Sequence, residues 1–180
     1  MVFDVIQSEM AFHGRAFSVR QDLVALQDGK QHLIDVIEHV GAVTLLPIDA
    51  DGQIWFIRQY RHPVRQFILE LPAGTMEPNE LPEATASREI REEIGMGARK
   101  LTMAGEFFMT PGYSSERMYF FVAEDLYPAP LNPDEGEFIS VEKMPVQQAY
   151  HMALSGELQD GKSLAALLLA RPFLAAYLDQ

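Results

Sequence analysis

Residues Gly74–Met96 read GTMEPNELPEATASREIREEIGM, and the order of residue types in this stretch places a glycine-led loop ahead of a helix. Ala86, Ile90 and Ile94 recur every four residues, the spacing that lines one face of a helix and can turn toward a core. Pro82 suits the first turn, Glu83 brings negative charge near the start, and Gly95 stands where a left-handed cap would end the helix. Glu89 and Glu93 are four residues apart and Glu92 is three from Glu89, so these carboxylates share a face one step around from the apolar stripe.

Three carboxylates on one turn repel one another. A neighbouring cation such as Arg88 or Arg91, a raised pKa, or a bound metal ion must compensate. Oxygen donors of this kind favour hard cations, Mg²⁺ or Mn²⁺. Glu/Arg-rich helix faces are also common as plain solvated surface, so REIREE alone does not decide between a site and a surface.

The whole pattern does more. A glycine, five residues, Glu80, seven residues, and then Arg88, Glu89, Ile90, Arg91, Glu92, Glu93, Ile94, Gly95 and Met96 hold seven fixed identities. With ordinary residue usage these would coincide in roughly one window in 10⁸ or fewer. The run resembles, with no departure, the signature box of the Nudix hydrolases, which cleave a nucleoside diphosphate linked to another moiety. The resemblance implies a loop-helix-loop begun by Gly74 and braced by Glu80 and Arg88. It also implies metal ligation by Glu89, Glu92 and Glu93 and by the backbone carbonyl of Ala73, with Mg²⁺, or Mn²⁺, as cofactor.

Beyond the box, Pro111 lies sixteen residues after Gly95 and Glu116 five further on, within MTPGYSSE. Alone, Glu116 reads equally as an ordinary exposed loop glutamate. With RQYRHP at Arg58–Pro63, ELPAG at Glu70–Gly74 and an early hairpin, the context is similar to the ADP-ribose pyrophosphatases over about Gly14 to Gly161. That resemblance implies that Glu116 takes a proton from the attacking water or contacts metal, and that Glu92 belongs to the catalytic set. It implies that Arg61 pairs with a substrate phosphate through its bidentate fork; an arginine capping a strand or pairing with Glu70 is the other reading. In the subgroup a small amino-terminal sheet is exchanged or packed between two subunits and helps hold the adenine. A homodimer is therefore expected, with Phe12 and Phe17 as stacking candidates on alternating positions of a strand. The segment His32–Glu38 lacks the arginine that some relatives use as a second substrate contact. Other nucleoside-diphosphate sugars, dinucleotides, oxidised nucleotides, and a ligand-sensing module without turnover remain as alternatives.

Composition frames these readings. The chain has 180 residues, 48% of them hydrophobic, and a formal net charge of -12, enough for one good core with a small appendage. The acidity argues against nonspecific binding to nucleic acid or an anionic membrane. There is no cysteine, hence no disulfide framework and no thiolate nucleophile. The five histidines show no pair at metal-ligand spacing. Neither a G-x-S-x-G elbow nor a P-loop is present. MVFDVIQSEM has no basic n-region or long apolar run, and Leu164–Ala170 is far shorter than the roughly 20 residues a bilayer span needs. The expected setting is the cytoplasm.

The order of elements predicts an α+β fold, a mixed β-sheet sandwiched between α-helices, with a small antiparallel sheet in front. Residues 1–40 form the amino-terminal hairpin region, read as the dimerisation part, and residues 41–180 the catalytic domain. Short runs at Phe17–Val19 and Leu23–Leu26 lead through Asp28-Gly29 to His32–Glu38. Gly41–Leu46 and Gln53–Gln59 are expected to pair across Asp51-Gly52. Phe67–Leu71 precedes the box, Leu101–Phe108 follows it, and Arg117–Ala123, apolar on both faces, is a central buried strand. Asp134, Glu135 and Glu137 form an acidic loop, Gly136–Val141 is a late strand, and two helices follow, one ending near Gly156 and one starting near Ser163.

Overall fold

A computed structural model describes residues 4–15, 17–132 and 138–178. The chain divides into two compact units, residues 1–41 with 108–117, and residues 42–107 with 118–180.

The first unit is a three-stranded antiparallel sheet in the order β1 (Asp4–His13), β2 (Ser18–Ala25), β3 (Gln31–Glu38). The Asp28-Gly29 turn joins β2 to β3 with Gly29 at φ 81°, and Leu26 N–H bonds the Lys30 carbonyl at 2.8 Å, as the hairpin signal predicts. Two expectations are corrected. The runs at Phe17–Val19 and Leu23–Leu26 are one strand, and a further strand, β1, precedes them. All ten residues of β1 are exposed and its register against β2 shifts between Val5 and Gln7 and between Met10 and Phe12. A strand with no buried face and two irregularities carries no period-two signal. Phe17 lies just outside β2, so Phe12 and Phe17 are not alternating residues of one strand. Residues 108–117 join this unit through Ile37, whose N–H bonds the Tyr113 carbonyl at 2.7 Å and whose carbonyl accepts from Ser115 N–H at 3.0 Å.

The second unit contains two sheets. One is antiparallel, in the order β10 (Ile139–Pro145), β5 (Gln53–Arg61), β6 (Gln66–Glu70). The other is mixed, in the order β7 (Ala73–Thr75), β4 (Ala42–Pro47), β9 (Arg117–Pro128), β8 (Met96–Phe108), with β4 and β9 parallel. The expected pairing of β4 with β5 does not form. Asp49–Gly52 turns the chain, with Gly52 at φ 71°, but only an isolated bridge, Ile48 to Ile54, crosses it. Every residue of β4 is buried; it finds hydrogen-bond partners on both edges in β7 and β9 while β5 crosses to the other sheet. A turn signal fixes the reversal of the chain; burial chooses its partners.

β4 and β9 lie between two apolar layers, as the sandwich expectation requires. Val43, Leu45, Phe121 and Ala123 pack with Ala86, Ile90 and Ile94 of α1 (Pro82–Ile94). Leu46, Phe120 and Val122 point the other way, into a cluster with Ala149 of α2 (Val146–Ser155) and Ala166, Leu167 and Ala170 of α3 (Gly161–Ala170). A 3₁₀ turn at Arg171–Phe173 and the short α4 (Ala175–Leu178) close the described chain. Gly156 caps α2 at φ 81°. The acidic run Asp134, Glu135 and Glu137, and the first residues of the expected Gly136–Val141 strand, lie outside the described residues. Among the described residues no helix is long and apolar enough to cross a membrane.

Candidate active site

The box helix forms where its sequence predicts. Pro82 occupies the first turn, Gly95 is the left-handed cap at φ 70°, and its N–H bonds the Ile90 carbonyl. Ala86, Ile90 and Ile94 are buried, and so are the neighbouring Glu89 and Glu93, at 8% and 6% exposure. Burying carboxylates beside an apolar stripe is costly unless each has a partner, and the structure supplies them.

Glu93 Oε2 accepts the Ala73 N–H at 2.8 Å. Glu89 rests against Gly74: a Cβ added at Gly74 would lie 1.9 Å from the Glu89 carboxyl carbon. Gly74 therefore does more than lead the loop ahead of the helix. It sits within β7, opposite Val43, and its missing side chain makes room for a carboxylate. Glu89 and Glu93 thus converge on the same two-residue segment, Ala73-Gly74.

Of the two arginines that could relieve repulsion on this turn, Arg88 is the one that reaches the carboxylates. Its Nη1 reaches Glu89 Oε1 at 2.5 Å and Glu92 Oε2 at 2.9 Å. Its Nε and Nη2 hold Glu80 at 3.3 and 3.1 Å, and Nη2 also donates to the Thr75 carbonyl at 3.2 Å. Arg91 turns elsewhere, to the Ala129 carbonyl at 3.0 Å. Hydrogen bonding from Arg88 holds the Glu80 carboxyl down at about 2. For Arg88 itself burial works against the charged form, but Glu80, Glu89 and Glu92 outweigh it and raise its pKa.

A second charged cluster lies at the ends of β5, β6 and α3. Arg61 meets Glu70 side-on, Nε to Oε1 and Nη2 to Oε2, both at 2.7 Å. Glu70 is 1% exposed and also accepts from Lys162 Nζ, which reaches Asp160 Oδ2 at 3.0 Å. Burial pushes the Glu70 pKa up, and Arg61 and Lys162 together overcome this, leaving it below the usual carboxylate value. The Arg61 pKa is raised, first by its hydrogen bonds to Glu70, with the charges of Glu93 and Asp160 adding to the effect. Arg61 therefore makes the contact to Glu70 that its sequence left open, and the field of Glu93 reaches it.

Glu116 belongs to the first unit, where its N–H bonds Ser114 Oγ at 3.1 Å and its carbonyl accepts from Met109 N–H at 3.2 Å. Phe12 and Phe17, also in that unit, are exposed and tilted against each other with ring centroids 6.4 Å apart. Glu89 and Glu93 thus converge on Ala73-Gly74, and Glu92 is tied to Glu89 through Arg88. Lys162 and Asp160 were missed from the sequence. The available signal was a lone lysine opening an otherwise apolar helix, GKSLAALLLA.

The donor chemistry fits a hard divalent cation, since Glu89 and Glu93 offer carboxylate oxygens over one backbone segment. Among the described residues no three acidic, histidine or cysteine side chains stand as a ready-made metal group. Arg88 already engages two of the carboxylates, so a cation would have to draw them from it.

The NUDIX domain model matches residues 38–167. The chain is 35% identical over 164 residues to the ADP-ribose pyrophosphatase of Bacillus subtilis (strain 168), covering 90% of this chain and 89% of that protein. It is 30% identical over 164 residues to the methanol dehydrogenase activator of Bacillus methanolicus, with the same coverage. Among solved structures, an ADP compounds hydrolase matches with a TM-score of 0.88 at 27% identity, over 98% of this chain and 96% of the other.

Proposed function

Because the chain belongs to the Nudix family, we propose that it is a pyrophosphohydrolase that splits the diphosphate bond of ADP-ribose, or a close nucleoside diphosphate derivative, giving AMP and ribose 5-phosphate. The observation that carries this reading is the convergence of Glu89 and Glu93 on Ala73-Gly74, in a chain similar to an ADP-ribose pyrophosphatase over nine-tenths of its length.

In this proposal Mg²⁺ is the cofactor, with Mn²⁺ as a substitute, held by Glu89, Glu93, Glu92 and the Ala73 carbonyl. When bound, the ion neutralises charge on the diphosphate oxygens and acidifies a water. The chain's own residues do the rest. Arg61 offers its Nη1–Nη2 edge to a phosphate, the Nε–Nη2 edge being taken by Glu70. The Glu116 carboxylate accepts the proton of the attacking water. Arg88 sets the orientation of Glu89 and Glu92. Phe12 and Phe17 present ring faces for an adenine. Residues 1–40 serve a homodimer, a role supported by the exposed Val5, Ile6, Met10 and Phe12 of β1, and residues 41–180 form the catalytic domain. The protein works in the cytoplasm.

The test is AMP release from ADP-ribose with Mg²⁺ and with chelator, beside GDP-mannose and a dinucleotide at equal concentration. Chelator-sensitive preference for ADP-ribose supports the reading, and preference for another compound replaces the substrate. No turnover of any would favour the second reading, action on a partner enzyme, which the likeness to the methanol dehydrogenase activator brings forward.

A further inference from the structure

Building on the reading of Arg61 as the phosphate-binding residue, we propose that Lys162 is its positioning residue: from the first turn of α3 it pins Glu70, and Glu70 in turn aims the Arg61 guanidinium. A bidentate arginine–carboxylate pair fixes its two members relative to each other. It does not fix the direction of the pair, which can rotate as one body on two flexible stems. A third contact from a separate element removes that freedom. Lys162 supplies it, because Glu70 Oε2 is shared between Arg61 Nη2 and Lys162 Nζ, and Lys162 is itself held by Asp160 at 3.0 Å.

Helix stability does not explain this lysine. It is the second residue of α3, where the helix dipole disfavours a cation, and it is 8% exposed, so its ammonium has lost most of its water. Replacing buried ion pairs by apolar groups is often neutral or stabilising. The ammonium is therefore best accounted for by the direction it gives Glu70. The surrounding frame does not depend on it: Asp160 caps α3 through Ser163 N–H at 3.0 Å, and Ser163 Oγ accepts the Leu71 N–H at 2.7 Å. Lys162 donates to neither contact, so both are expected to survive when it is changed.

The experiment uses the full-length chain with Mg²⁺. KM and kcat are measured for ADP-ribose, and Kd by calorimetry for its α,β-methylene analogue, in Lys162→Met, Arg61→Ala and the double variant. Lys162→Met is expected to raise KM and Kd about tenfold with kcat within about twofold of wild type. In the Arg61→Ala background it adds nothing, because residues acting through one another are not additive. Unchanged KM and Kd in Lys162→Met, or a full second tenfold rise in the double variant, overturns the inference. A silent Arg61→Ala removes the reading of Arg61 and this inference with it, whereas a raised KM in Arg61→Ala beside a silent Lys162→Met removes the inference alone. Should Lys162→Met fail to fold, Lys162→Ala, which also removes the donor to Glu70, replaces it with the same expected outcomes.

Discussion

Arg88 and Arg61 each organise a group of carboxylates in the second unit, and they do so in opposite ways. Arg88 works within its own stretch of chain, binding Glu80, Glu89, Glu92 and the Thr75 carbonyl, all within thirteen residues of it, and its side chain keeps 25% of its exposure. Arg61 belongs to a group drawn from β5, β6 and α3, centred on a Glu70 side chain only 2% exposed and joined to a lysine 92 residues away. The first arrangement is local and less deeply buried than the second, and in the proposed function its carboxylates exchange an arginine for an incoming cation. The second is buried and long-range, suited to holding one geometry.

The largest effect expected from this contrast is on turnover. Glu93 lies on the helix organised by Arg88 but its carboxylate is fixed to Ala73 N–H, next to the expected metal. Glu93→Gln keeps the side-chain shape and an acceptor oxygen while removing the charge. It should lower kcat on the order of a hundredfold or more with little loss of fold. Turnover near wild type in a correctly folded variant, checked by steady-state kinetics and circular dichroism, would sink the metal assignment.

Stability should separate the two clusters next. Glu70→Ala leaves Arg61 and Lys162 facing each other without their shared anion, which costs about 3–5 kcal/mol for a broken buried pair. Glu80→Ala removes an anion that reaches solvent and should cost no more than about 1 kcal/mol. Urea denaturation of both variants reads the difference directly. Equal losses would mean that the Glu70 cluster is no more than an ordinary surface pair.

Gly74→Ala tests the junction between helix and strand. The new methyl takes the space of the Glu89 carboxyl group, and Glu89 has to swing away. About 1–3 kcal/mol of overpacking is expected, with a fall in activity larger than the change in melting temperature predicts. A variant of full activity would show that Glu89 has no fixed place in the reaction.

The same contrast explains what the sequence could disclose. Pro82, the Ala86/Ile90/Ile94 stripe and Gly95 lie within fourteen residues, each signal acting on its neighbours, and α1 appears between them as expected. The repulsion among Glu89, Glu92 and Glu93 was legible too, though choosing Arg88 over Arg91 required the direction of each side chain. The Arg61–Glu70 contact was visible as an alternative because nine residues separate the pair. Lys162 was not, since nothing near it in the chain marks a partner on β6. The β4 and β5 error has the same origin: Asp51-Gly52 encodes a reversal, while strand partners are set by which faces must be buried. β1 offered neither a buried face nor a regular register. Gly74 was expected to begin the box loop and is needed within β7 for its lack of volume, a distinction that depends on Glu89 arriving from another element.

The smallest effect is the pH dependence of the accessible cluster. Arg88 holds the folded-state pKa of Glu80 at about 2, against an ordinary value of 4.5. A carboxyl whose pKa is depressed on folding stabilises the native state above its unfolded pKa, and that contribution is lost as pH falls toward the folded value. The stability difference between wild type and Glu80→Gln should thus be level from pH 7 to about 5, begin to shrink near 4.5 and be largely lost near 2. Denaturant midpoints taken across that range give the curve. A difference that grows as the solution is acidified would mean that Glu80 is protonated more readily in the folded chain than in the unfolded one. The Arg88 fork could then not be what holds the loop ahead of α1.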